Sequence, residues 1–143
     1  MKKPLLMCFL FLTLILGACG GGSLEGETVS ITGALIGEDQ NGFRENIKAI
    51  EEATGIIVTY QGSDNFEQEI QIQMESGDTP DFALFPQPGG VVDAANRGYL
   101  TPLADLDIDL EEYQNNFSSY LVGLGTVDGV IYGGANAANL KKL

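Results

Sequence analysis

An α/β fold, with a mostly parallel sheet covered by helices on both faces, is what this 143-residue sequence predicts. Three observations carry that expectation. Short apolar or β-branched runs alternate with stretches of helical periodicity, in the order strand, helix, strand, helix, strand, helix. Glycines stand where helices would end. The run Phe82-Ala83-Leu84-Phe85 is apolar at every position, which suits a strand in the middle of a sheet, buried on both sides. Alternation of this kind requires right-handed crossovers, and hence strands that run parallel.

The first strand is read over Val29-Ser30-Ile31-Thr32-Gly33-Ala34-Leu35-Ile36, rich in β-branched residues and bounded by Gly37. The next stretch, NGFRENIKAIEEATG, places Phe43, Ile47, Ile50 and Ala53 on one helical face, with Gly55 where a left-handed residue closes a helix. Ile56-Ile57-Val58-Thr59-Tyr60 is a second strand, ended by Gln61-Gly62. Ser63 or Asp64 then caps a second helix, because Glu67 follows Asp64 at capping-box spacing. Phe66, Ile70 and Met74 form its apolar face and Gly77 its end. Phe82–Phe85 is the third strand, and Val91–Arg97, before Gly98, a short third helix.

The start of the chain, MKKPLLMCFLFLTLILGAC, has a basic opening at Lys2 and Lys3, an apolar stretch from Leu5 to Leu16 and a small-residue exit. That is the pattern of a secretory signal peptide. Leu16-Gly17-Ala18-Cys19 resembles the bacterial lipobox, in which the cysteine is lipidated and becomes the new N-terminus. The expected organisation is a lipoprotein signal peptide over residues 1–18, a lipid-anchored flexible linker over 19–27 containing Gly20-Gly21-Gly22-Ser23, and one domain over 28–143. Cys8 leaves with the signal, so Cys19 is the only cysteine of the mature chain; disulfide, metal and thiol chemistry are not expected, and no cofactor is. Without Lys2 and Lys3, five basic residues face twenty acidic ones, a formal charge of −15. A surface of that sign repels phosphate backbones and anionic lipid, which argues against nucleic acid as a partner and leaves membrane attachment to the lipid.

In an open α/β sheet, ligands bind beyond the carboxyl ends of the strands. Those ends are Gly37-Glu38-Asp39-Gln40-Asn41, Gln61-Gly62-Ser63-Asp64-Asn65 and Pro86-Gln87-Pro88-Gly89-Gly90. All are polar, or shaped by glycine and proline, and none carries a nucleophile with a base. They read as a binding rim. The acidic run Asp105–Tyr113 is no EF-hand loop, because Leu110 and Asn116 occupy the glycine and glutamate places; it reads as a solvated loop. Gly123–Gly129 misses the dinucleotide fingerprint at Asp128.

Four pieces in order resemble the N-terminal lobe of the sugar-binding type of bacterial ABC-transporter solute-binding proteins. They are Thr54-Gly55 before a strand, Ser76-Gly77-Asp78-Thr79-Pro80-Asp81 before another, Gly98-Tyr99-Leu100-Thr101-Pro102-Leu103 after a short helix, and Asp128-Gly129-Val130-Ile131-Tyr132-Gly133. The resemblance covers about residues 28–143, and FPQPGG and ANLKKL look most like the alpha-glucoside-binding branch. It implies a periplasmic-binding-protein-like fold of type II. It also implies that the chain is an incomplete N-terminal lobe, a receptor for a sugar and a partner of ABC permease subunits in the membrane. The chain departs from the family at Gly134-Ala135, where a proline is usual.

By position, Glu38 and Asp39 match rim residues that hydrogen-bond sugar hydroxyls in the family, where a carboxylate makes charge-assisted bonds. The same acids also suit a helix start, where the dipole favours negative charge. Phe85 and Gln87 match positions of an aromatic ring and a polar contact, Asp64 faces the cleft or caps its helix, and Asn139 matches a polar residue on a cleft strand. A secreted glycosidase using two carboxylates and a non-transport sensor lipoprotein are the alternatives.

Overall fold

The computed structural model describes residues 24–135. Its elements are β1 (Thr28–Gly33), α1 (Gly37–Thr54), β2 (Ile57–Gly62), α2 (Phe66–Ser76), β3 (Phe82–Leu84) and α3 (Pro88–Asn96). After a short 3-10 turn at Leu103–Asp105 come α4 (Leu110–Asn116), α5 (Ser119–Leu124) and a hairpin of β4 (Thr126–Val127) and β5 (Val130–Ile131). The first three strands form one parallel sheet in the order β2-β1-β3.

Partners in a parallel register share a face, so Ile31, Tyr60 and Phe82 lie on one side and Thr32, Gln61 and Ala83 on the other. α1 covers the first side. Phe43 meets the Tyr60 ring edge-on at 4.9 Å, and Ile47, Val58 and Tyr60 are buried there. α2 and α3 cover the second side, where Phe66, Ile70, Met74 and Ala94 form the core with Ala83, Phe85 and Leu100 against it. The four-residue step of α2 is thus fully buried. Gly55 and Gly77 both sit at left-handed φ, 76° and 78°, and their amides close the helices onto Glu51 and Gln73 carbonyls.

Several sequence expectations are corrected. β1 stops at Gly33 and α1 begins at Gly37, not Asn41, because Tyr60 engages the intervening backbone. Its hydroxyl accepts from the Leu35 N–H and donates to the Leu35 carbonyl, both at 3.0 Å, so this segment pairs with no strand. Ile50, expected on the buried face of α1, is 52% exposed, while Glu51 beside it reaches the Val58 N–H at 2.8 Å. β3 is an edge strand, with β1 in the middle, and Phe82 is 55% exposed. Asp64 does not cap α2. The Ser63 hydroxyl accepts from the Asn65 N–H at 3.1 Å, which tightens the turn and makes Asn65 the first flanking residue. Finally, α3 starts at Pro88, whose fixed φ suits a first helical turn, and part of the acidic run forms α4 with Asp109 accepting from the Glu112 N–H at 2.9 Å.

Asp81 closes the ladder where β3 begins. Its carboxylate accepts from the Ser30 N–H at 2.8 Å and from the Ser30 hydroxyl at 2.6 Å, and its own N–H donates to that hydroxyl at 3.0 Å. The Ser30 hydroxyl bond first, and the Ser30 amide bond second, hold the Asp81 carboxyl below the usual aspartate range. A depressed folded pKa adds stability above the unfolded value and loses it as pH falls through the folded one. Chemical denaturation of the Asp81→Asn variant is therefore expected to show a flatter decline of stability below about pH 4 than the parent, with lower stability at pH 7. Equal slopes in acid would remove Asp81 from the acid response.

Candidate functional site

The three parallel strands end level. Gly33 lies opposite both Gly62 and Leu84, so the loops after β1, β2 and β3 all leave from one edge of the sheet. The Ser63 N–H to Gly33 carbonyl bond, 3.0 Å, ties two of these ends together. A side chain at Gly33 would crowd Leu84 Cβ at 2.8 Å and the Tyr60 hydroxyl at 2.9 Å, so the glycine makes room for these two side chains at the strand ends. α1, α2 and α3 all start at this edge. Their flanking residues Ile36, Asn65 and Gln87 make no side-chain capping bond, which leaves first-turn N–H groups for water or a ligand.

Glu38 and Asp39 lie in the first turn of α1 and are exposed, as is Asp64 between β2 and α2. Phe85 and Gln87 are brought into a recess of about 130 Å³ at the end of β3. Phe85 is divided between two roles. Its ring meets Phe66 at 5.4 Å, near-perpendicular, inside the core, and another part of it lines the recess. Gln87 is exposed and its carbonyl accepts from the Gly90 N–H at 3.2 Å, leaving the side-chain amide free of a cap. Asn139 and Cys19 lie outside the described residues.

Sequence reasoning missed the opposite wall, made by Leu121 and Leu124 of α5 with Gly125 and Gly133. The Gly125 carbonyl accepts from the Tyr132 N–H at 2.9 Å and the Gly133 N–H at 3.3 Å, folding the hairpin back onto α5. The only trace of this in the sequence is the spacing of small residues around the hairpin. Small-molecule sites are typically about 300–1,000 Å³, so the recess by itself is smaller than such a site. Polar rim, aromatic face and level strand ends can hold a hydroxyl-rich solute by hydrogen bonds and ring packing.

The fold and this edge define an α/β lobe with a polar rim at the carboxyl ends of its parallel strands. The chain belongs to the family of bacterial extracellular solute-binding proteins, whose model matches residues 33–142. It is 37% identical over 134 residues to the osmoprotective compounds-binding protein GgtB of Synechocystis, covering 91% of this chain and 32% of that protein. It is 38% identical over 119 residues to the alpha-glucosides-binding periplasmic protein AglE of Rhizobium meliloti, covering 83% of this chain and 25% of that protein. Among solved structures, a solute-binding protein of an ABC transporter from Thermotoga lettingae, bound with alpha-D-tagatose, aligns with TM-score 0.60 at 27% identity over 76% of this chain and 28% of that one. The chain thus spans about a third or less of its relatives' length. The type II periplasmic fold expected from the sequence is the one these relatives share.

Proposed function

We propose that this chain is the solute-contacting part of a substrate-binding lipoprotein of an ABC importer, capturing a sugar, an oligosaccharide such as an alpha-glucoside, for delivery to a membrane permease. The observation that carries this reading is the level ending of three parallel strands at a polar edge. Gln87 and Phe85 provide a hydrogen-bonding amide beside an aromatic face. Glu38, Asp39, Asp64 and Asn139 supply acceptors and donors from neighbouring segments, and Cys19 carries the lipid that holds the protein at the membrane. The role is binding, not catalysis. The relative named for alpha-glucosides supports a neutral polyhydroxyl ligand.

One wall gives weak binding. Titration of the mature chain with maltose, trehalose and sucrose, followed by amide NMR, is expected to give dissociation constants of order millimolar, about −4 kcal/mol. Shifts should concentrate at Phe85–Gln87 and Glu38–Asp39, and Gln87→Ala should weaken binding severalfold without altering the spectrum elsewhere. Shifts confined to residues away from the strand ends would refute the reading.

A further inference from the structure

In the first turn of α1 the residue that faces the strand ends is Gln40. Glu38, Asp39 and Asn41 are exposed, whereas Gln40 is half-buried and heads the inward stripe that continues through Phe43 and Ile47. Gly62, at the end of β2, makes room for it. A Cβ there would meet the Gln40 Oε1 at 2.9 Å and would run into the Leu35 carbonyl. The Gln40 amide therefore lies over the end of β2. It has no hydrogen-bond partner among the described residues, and it is not one of the buried polar atoms left without one, so it opens to solvent. At the other end of the same edge the Gln87 side chain, free of a capping bond, stands beside Phe85. Gly62, Gly33 and Leu84 are in register, so the ends of β2 and β3 lie two strand spacings apart, about 10 Å. The central strand leads to Ile36, which is 43% exposed and offers an apolar surface to the C–H face of a ring.

We propose that Gln40 is a specificity-determining residue, an amide that takes the second ring of a disaccharide whose first ring is held at Gln87 and Phe85, so that the edge selects ligands by length. The separation of the two amides is one that two linked pyranose rings bridge and a single ring does not. An amide both donates and accepts, where a carboxylate only accepts. Sugar hydroxyls do both as well, and neutral groups at both ends match an uncharged ligand. Glu38 and Asp39, on the outward side of the same turn, are then solvated acids at a helix start. The proposal rests on the sugar-binding reading and sharpens it from the class of ligand to its size.

The test is titration of the mature chain with glucose and with maltose, followed by NMR of the glutamine side-chain amides. Maltose should shift the signals of both Gln40 and Gln87. Glucose should shift Gln87 alone and bind severalfold more weakly. Gln40→Ala should weaken maltose binding by about threefold to tenfold, the loss of one hydrogen bond, and leave glucose binding unchanged. Gln40→Met keeps the length and helix propensity of the side chain but can neither donate nor accept as an amide does; it should fail with maltose in the same way, and it decides should the alanine variant not fold. Glucose and maltose binding alike, or a maltose-to-glucose ratio untouched by both variants while Gln87 still responds, would overturn the proposal and leave the sugar reading standing. Equal loss of glucose and maltose binding, with backbone shifts at Leu35, Phe43 and Tyr60 in the sugar-free variants, would make Gln40 a packing residue and overturn it too. Silence of both glutamines toward either sugar would sink the sugar reading itself, and the proposal with it.

Discussion

Phe66→Ala is expected to destabilise the chain by about 3–5 kcal/mol, a large share of the 5–15 kcal/mol typical of a whole domain. Phe66 is 1% exposed, the largest fully buried side chain among the described residues. It begins α2, and its ring lies 5.4 Å from Phe85, near-perpendicular, at the centre of the cluster with Ile70, Met74 and Ala94. Removing the ring loses its burial and leaves a cavity that a three-stranded sheet with two short helices cannot collapse around. Urea denaturation should move its midpoint down sharply, to the point of an unfolded baseline in buffer. Phe66→Leu should lose less. Because Phe85 leans on Phe66 and also lines the recess, a partly folded alanine variant should also lose the NMR shifts that sugars cause at Gln87. A midpoint change worth less than about 1 kcal/mol would show that this cluster is not the core.

Gly125→Ala is the second large effect, and it acts by crowding. A Cβ at this buried glycine would run into the backbone carbonyl of Gly133, which has no side chain to swing away. The hairpin return must then shift, breaking the bonds from Tyr132 and Gly133 to the Gly125 carbonyl. Overpacking of this kind costs about 1–3 kcal/mol. The damage should stay local, since the hairpin packs mainly on α3, α5 and the 3-10 turn. Amide exchange is expected to rise at Tyr132 and Gly133 while the Tyr60 and Val58 amides are unchanged, and the weak sugar response at Gln87 should fall. Gly123→Ala, two residues earlier with open space around it, is the matched control. Equal behaviour of the two variants would mean that the close approach does not hold the recess together.

Local signals explain what was legible in the sequence. The Phe66, Ile70, Met74 step gave the buried face of α2, and Gly55 and Gly77 the left-handed closures, because each depends on neighbours within a turn or two. The alternation of elements gave a parallel sheet with its polar edge, and the Pro/Gly break after Phe85 gave half the recess. What was not legible depends on distant partners. The start of α1 is set by Tyr60 from the next strand. The place of β3 at the edge is a matter of strand order, which an apolar tetrapeptide does not encode. The residue flanking α2 is Asn65, not Ser63 or Asp64, because a serine hydroxyl bond tightens the turn in a way that spacing rules do not anticipate. The α5 wall is brought to Gln87 by a contact between two glycines, residues without side chains to give periodicity.

The hydroxyl of Tyr60 grips both backbone polar groups of one residue, Leu35, 25 residues back along the chain. The segment that presents Glu38 and Asp39 is therefore fastened to a strand it does not belong to. Side chains on that segment can change without altering its course. Evolution can thus exchange the groups shown at this edge while the anchorage from β2 keeps them at the same station.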